Sequence, residues 1–376
     1  MLLYKKHFFV KICSFLSLLF LGCIDPVTPE FEFKEGLVFV EGFVSTSLGA
    51  SFVIISESVK ISSTDKTVFV DGASVSFKNV NTGETISLIE QEKAYVPPSN
   101  FKTLVGETWQ LKITMPNGEQ YESLPELVLN PVEISNIQAT YDPELRVGSN
   151  NKFEPGHYIS VTFDDPEGEE NFYYWTFRSF ENLTICEICY DGIFRNNHCE
   201  ETSVSSPPFF SYPCQTSCWK IRFPESISIF DDKFSNGKTT TNLKIAEIPL
   251  VTKENMVVEI QQFSITPAAY EYYKILKDIV DNSGGFNAPP PAALIGNMIN
   301  INDDEDFIFG RFTAAATSTE NIFINRESII ENAIEFKEQI SLEPTLMSPY
   351  PPPVTITIPC SENFFRTAIR PDEWID

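Results

Sequence analysis

Positive charge and histidine are what this chain has least of. Its 376 residues carry 27 Lys and Arg against 52 Asp and Glu, with three histidines and a net charge of −25 at pH 7. Such a surface repels phosphate, because nucleic-acid contacts are made by Lys and Arg, so nucleic-acid binding is excluded. Anionic headgroups are repelled for the same reason. The sequence has no Gly-x-Ser-x-Gly elbow and no His-Glu-x-x-His. Gly237-Lys238-Thr239 resembles the end of a phosphate-binding loop, but Asp232 stands where its first glycine belongs. A Ser-His-Asp triad built on His157 or His198 has no further support. A non-enzymatic protein without a cofactor is the expectation. After the leader no apolar run approaches the roughly 20 residues needed to cross a bilayer. The serial ten-residue alternation of a membrane barrel is missing too.

What the chain does have begins at its amino terminus. Lys5, Lys6 and Lys11 flank a short apolar run, Ile12 to Leu21, which ends in Phe20-Leu21-Gly22-Cys23. At such a sequence a bacterial signal peptide is removed and the new terminal cysteine is lipidated. Residues 1–22 are expected to be a lipoprotein signal peptide, Cys23 the lipidation site, and 23–35, acidic and proline-bearing, a tether. Attachment to the membrane would then come from acyl chains rather than from a basic patch.

Six further cysteines follow the tether: Cys186, Cys189, Cys199, Cys214, Cys218 and Cys360. The Cys186-x-x-Cys189 and Cys214-x-x-x-Cys218 spacings suit zinc, but an even number in an exported chain reads first as disulfides. Pairing is not legible, except that Cys360 is expected to be stapled back to the 186–218 segment. No metal is expected there.

The body reads as mainly all-β. Leu37–Val44, Ser51–Ser56, Ala73–Lys78, Thr85–Ile89 and Trp109–Met115 are short apolar or alternating runs punctuated by turns. They predict an N-terminal Ig-like β-sandwich over 36–129. Asn130-Pro131 marks the boundary of a second β-rich, sandwich-like domain over 130–376, with a cysteine-rich insertion at 181–218. Its strands include Val132–Tyr141, Tyr158–Phe163, Phe172–Phe177, Leu243–Ile248 and Met256–Phe263. Thr266 as cap, Pro267 at the first helical position and Gly284-Gly285 as stop predict one helix, with Ala269, Tyr273, Leu276 and Val280 on one face. Phe307–Phe312 and Asn321–Asn325 read as a closing hairpin, and 327–340 fit helix and strand equally.

Two kinds of residue invite a binding role. The acidic runs Asp164 to Glu170 and Asp303 to Asp306 supply weak calcium candidates in Asp164, Asp165, Asp303, Asp304 and Asp306. Neither run has EF-hand spacing, and solvated turns are the expectation. Phe172, Tyr173, Tyr174 and Trp175 are consecutive, so a strand would turn them to alternate faces. One face would join the core, and the other is a possible surface for a partner or ligand.

Several pieces in order complete the picture. They are Val40-Glu41-Gly42, Phe163-Asp-Asp-Pro-Glu-Gly168 running to Asn171-Phe-Tyr-Tyr174, and Ile229-Phe-Asp-Asp-Lys-Phe234 with Gly237. Beyond these come Tyr270–Leu276, Phe286-Asn-Ala-Pro-Pro-Pro291, Ile295-Gly-Asn297, and the tail Pro359-Cys360, Arg366-Thr367, Arg370-Pro371 and Trp374. In that order they resemble the DUF4249 group of Bacteroidota outer-membrane lipoproteins. The resemblance implies no catalytic residues. It implies a protein of the outer membrane, lipid-anchored with its body at the cell surface, and a partner in an outer-membrane β-barrel. The expected role is extracellular partner or lid of a TonB-dependent, SusC-like barrel in nutrient capture. The rival expectation is a structural subunit of an outer-membrane assembly or secretion complex.

Overall fold

The computed structural model describes residues 35–61, 64–148, 151–201, 209–282, 294, 296–303, 308–334, 339–343 and 355–375. Residues 36–376 belong to one compact unit, which is mainly β with one helix among the described residues. Alternation sets the first layer. In Thr108–Thr114 the residues Trp109, Leu111 and Ile113 point inward and are 2%, 0% and 2% exposed, while Gln110 and Lys112 point outward. Pro116-Asn117-Gly118, with Gly118 at φ +92, returns the chain to Gln120–Ser123. These strands belong to a six-stranded sheet. It faces Val38–Ser45, Phe52–Ile61 and Ala94–Val96 across a core holding Val40, Val53, Ile55, Phe77 and Tyr121.

The expected closing hairpin does not form. One strand, Phe309–Ile324, runs straight through the segment. The physical reason is Thr313-Ala-Ala-Ala-Thr317, which offers no turn residue and whose three alanines are fully buried. Its first half pairs in parallel with Val38–Ser45, and its second half pairs antiparallel with Met256–Ser264. An eleven-stranded sheet therefore passes through both sandwich-like halves. Met298–Asn300 likewise returns to pair with Gln120–Ser123, and Met298 and Phe312 enter the first core. Residues on both sides of the expected 129/130 boundary thus share a sheet and a core. Two glycines permit the crossing. A Cβ on Gly310, at φ +105, would lie 1.8 Å from the Val40 carbonyl oxygen, and one on Gly296 would lie 1.6 Å from that of Gly310.

A buried polar clasp holds the same crossing. Asn297 Nδ2 donates to the Phe312 carbonyl at 2.8 Å and to Glu126 at 3.1 Å, and its Oδ1 accepts from the Phe312 N–H at 2.9 Å. Arg311 pairs with Glu126, both under 10% exposed. Burial holds the Glu126 carboxyl above the ordinary carboxylate range, against the opposing pull of Arg311.

In the second half, Ile134–Val147, Phe153–Asp164 and Thr239–Pro249 form a three-stranded sheet. Its Ile159, Val161 and Phe163 share a core with Tyr173, Trp175 and Phe177 of the aromatic strand Phe172–Asn182. The opposite face of that strand is covered as well. Tyr174 stacks on Tyr273 at 4.6 Å, Phe172 lies against Tyr270 at 4.9 Å, and Phe43 closes over Tyr174. The partner or ligand surface expected of Phe172, Tyr173, Tyr174 and Trp175 is thus corrected. Tyr173, Tyr174 and Trp175 are buried and Phe172 is half-buried, because the helix and Phe43 cover the face that sequence left open. Burying a ring of phenylalanine size stabilises by ~2 kcal/mol, so both faces favour the core.

The helix spans Pro267–Asn282, and the Ala269 N–H donates to the Thr266 hydroxyl at 3.3 Å. Ala269 and Tyr273 are buried, Leu276 packs at the margin, and Val280 is 46% exposed. The stripe therefore leaves the sheet in the last turn. Gly284-Gly285 and Pro289 to Pro291 lie outside the described residues. Within 327–340, the described residues hold neither helix nor strand.

Candidate functional site

The cysteine-rich insertion is a small body with its own core. Ile185–Tyr190 pairs with Phe209–Pro213, and Gly192–Arg195 pairs with His198–Glu201 through Asn196-Asn197. Both asparagines have positive φ, as a two-residue hairpin of this kind requires. Disulfides join Cys186 to Cys214, Cys189 to Cys199 and Cys218 to Cys360. The expected staple from Cys360 falls on Cys218. The sulfurs of Cys186, Cys214 and Cys218 lie within 4.8 Å of one another. All three are oxidised, and a thiolate is what binds a metal. The carboxyl-terminal chain grips the module elsewhere too. Arg195 makes a two-pronged pair with Glu343 at 2.8 and 3.0 Å, and Arg366 donates to the Cys186 carbonyl at 2.9 Å. Trp374 packs edge-on against Trp219 at 6.0 Å.

The acidic turn and the Ile229–Phe234 motif, distant in sequence, interlock. Asp165 is 6% exposed and Asp232 is 1% exposed. Asp165 accepts from the Tyr173 hydroxyl and from the Gly237 N–H at 3.1 Å, while Asp232 accepts from the Asn171 N–H at 2.9 Å. Asn236 crosses between them, accepting from the Gly168 N–H at 3.0 Å and donating to the Glu169 carbonyl at 2.5 Å. Asp164 accepts from the Thr239 hydroxyl. Asp165 spends both oxygens on protein donors, and the exposed Asp164 spends one. Asp303 is exposed, and Asp304 and Asp306 lie outside the described residues.

A cleft in the second half is lined by Glu181 and Arg222, which lie at the two ends of the cysteine-rich insertion. Trp219–Arg222 and Ser228–Asp231 both pair with the aromatic strand, in the registers Ser179↔Arg222 and Trp175↔Ser228. Between those anchors the aromatic strand has three residues, 176–178, while the opposing chain has five, 223–227. Pro224 has no N–H to give the ladder. The chain therefore bows away and leaves a cleft of about 170 Å³. Phe177, Ile248, Pro249 and Met256 line its apolar side, and Ser179, Glu181, Arg222, Arg146 and Glu247 its polar side. The alternation along Phe172–Asn182 explains this. The face carrying Tyr173, Trp175 and Phe177 in the core turns polar at Ser179 and Glu181.

Electrostatics in the cleft are compensated within the protein. Glu181, 4% exposed, accepts from Arg222 Nε at 3.0 Å, Thr252 Oγ1 at 3.1 Å and Arg326 Nη1 at 3.3 Å. Arg146 Nε donates to Glu154 at 2.9 Å. Arg326 is 1% exposed, and burial lowers its pKa against the pull of Glu181. His157, 4% exposed, lies within reach of the Arg326 charge. Burial first and that charge second bring it down to about 4, so it is neutral at pH 7. Ser179 is 1% exposed, and its hydroxyl has no hydrogen-bond partner among the described residues.

Sequence reasoning missed every residue of this cleft. Two signals pointed to it: the polar switch after Phe177, and Pro224 in a strand-like run.

Neither a curated protein nor a solved structure matches the chain. A family model described as a domain of unknown function, DUF4249, matches residues 24–321, and the chain belongs to that family.

Proposed function

We propose that this chain is a non-enzymatic surface lipoprotein that serves as extracellular partner or lid of a TonB-dependent barrel in nutrient capture. The observation that carries this reading is the stapled module. It has its own core, three disulfides and three further grips from the carboxyl-terminal chain. A surface so cross-linked loses little conformational entropy on docking, which favours recognition of another protein. Cys23 would hold the molecule at the outer membrane through its lipid, and residues 24–35 would give the body reach. About 12 extended residues span roughly 40 Å. The acidic surface supports attachment by acyl chains rather than by charge.

The test is co-purification. The native protein is tagged at its carboxyl terminus, outer membranes are extracted gently, and the stoichiometric partners are identified. One TonB-dependent barrel is the expected result. A multi-subunit complex on an assembly or secretion barrel would replace this reading with the structural one. Recovery from the periplasm alone, with no barrel, would end both.

A further inference from the structure

We infer that the cleft lined by Glu181 and Arg222 binds one neutral, polyhydroxylated six-membered ring, a pyranose. The inference rests on reading the chain as a binding protein, and needs no barrel to be tested.

Size comes first. A cavity on the order of 150 Å³ admits a six-membered ring such as benzene, and this cleft measures about 170 Å³. Charge comes second. Arg222 is matched to Glu181 and Arg146 to Glu154, so a charged ligand would have to displace a partner already in place. A neutral ligand displaces none. Polarity comes third. Half of the fourteen lining residues are polar, arginines offering donors and glutamates offering acceptors. A ring with one hydroxyl would leave most of these groups facing carbon. A ring with hydroxyls around its rim can donate to Glu247 and accept from Arg222, while its C–H face lies on Phe177, Ile248 and Met256. The decisive detail is Ser179. A buried hydroxyl without a partner destabilises the empty protein, and Ser179, which carries this one, is among the residues that line the cleft. A ligand hydroxyl supplies the missing bond.

The experiment is saturation-transfer NMR on the full chain in detergent micelles. The probes are the methyl glycosides of glucose, galactose and mannose, with p-cresol as a ring bearing one hydroxyl. At least one glycoside should receive saturation on its ring protons and shift the Met256 methyl resonance. Ser179→Ala should weaken that binding roughly fivefold, the value of one neutral hydrogen bond. The same variant should melt no lower than the native protein, since it removes an unsatisfied group. Ser226→Trp, at the exposed bow of the loop, should abolish binding without altering the melt. Failure of all three glycosides overturns the inference, as does binding that both variants leave intact. Binding of p-cresol alone overturns it in favour of an aromatic side chain. None of these failures touches the barrel reading, which co-purification decides separately.

Discussion

Asp165 and Asp232 stand carboxyl against carboxyl below the surface, each holding the backbone of the other's loop. Burial first, and then the charge of Asp232, hold Asp165 above the ordinary aspartate value of 3.8, although Tyr173 and Gly237 pull the other way. A raised folded value means that the folded protein keeps a proton the unfolded chain has lost. The pair therefore favours the fold in acid and loses that contribution as pH rises through the folded value. Asp165→Asn keeps an acceptor for Tyr173 and gains a donor for Asp232, but its amide nitrogen cannot accept from the Gly237 N–H, a cost that does not vary with pH. The variant's stability relative to the native protein should therefore rise as pH is raised through the folded value, read as melting temperatures across a pH series. Asp232→Ala leaves the Asn171 N–H without its acceptor and should cost about 1–3 kcal/mol in urea denaturation.

His157 has the opposite sign. Its folded value of about 4 lies below the ordinary 6.5, because burial and the Arg326 charge oppose the imidazolium. Between those values the unfolded chain binds the proton and the fold does not, so stability falls as pH drops from 6.5 towards 4. The loss is at most roughly 3 kcal/mol. Denaturation curves of His157→Gln should lack that slope. Parallel curves for variant and native protein across the window would refute the assignment.

Glu126 and Arg311 form a pair that is costly to break from one side only. Arg311→Met strands a buried carboxylate and should destabilise by about 3–5 kcal/mol. Glu126→Gln combined with Arg311→Met should recover at least ~1 kcal/mol of that. A double-mutant cycle by chemical denaturation checks the coupling, and strict additivity would show that the pair does not act as one unit.

The disulfides differ in the length of chain they close. Cys218 and Cys360 are separated by 142 positions, Cys189 and Cys199 by 10. In the chain-entropy model the long closure stabilises by about 5 kcal/mol and the short one by about 3. Cys218→Ser with Cys360→Ser should therefore lower the denaturation midpoint more than Cys189→Ser with Cys199→Ser. It should also free the tail to proteolysis, read as early cleavage after residue 343.

Much of this was legible in the sequence where one residue decided one element. Alternation placed Trp109, Leu111 and Ile113 inward, Thr266 and Pro267 began the helix, and Cys360 returned to the module. What escaped was set by pairing across long distances. Nothing local says that Thr313 to Thr317 continues a strand, because alanine and threonine suit turn margins and strands alike until two neighbours bury them. Nothing local says that a helix a hundred residues later will cover Tyr174. The cleft arises from a mismatch of three residues against five, which exists only once the registers of two separate strands are fixed. The two Asp-Asp motifs were visible singly, and their meeting was not.

Val38–Ser45 follows the amino-terminal segment directly and lies between two partners, antiparallel to Phe52–Ile61 and parallel to the first half of Phe309–Ile324. A pull applied through that segment would run along the strand axis. It would load the hydrogen bonds of both ladders together instead of opening them one at a time. The long strand would then pass the load beyond the first sandwich to Met256–Ser264 in the second. A load entering at Val38 would therefore be shared by two ladders from Phe39 onward.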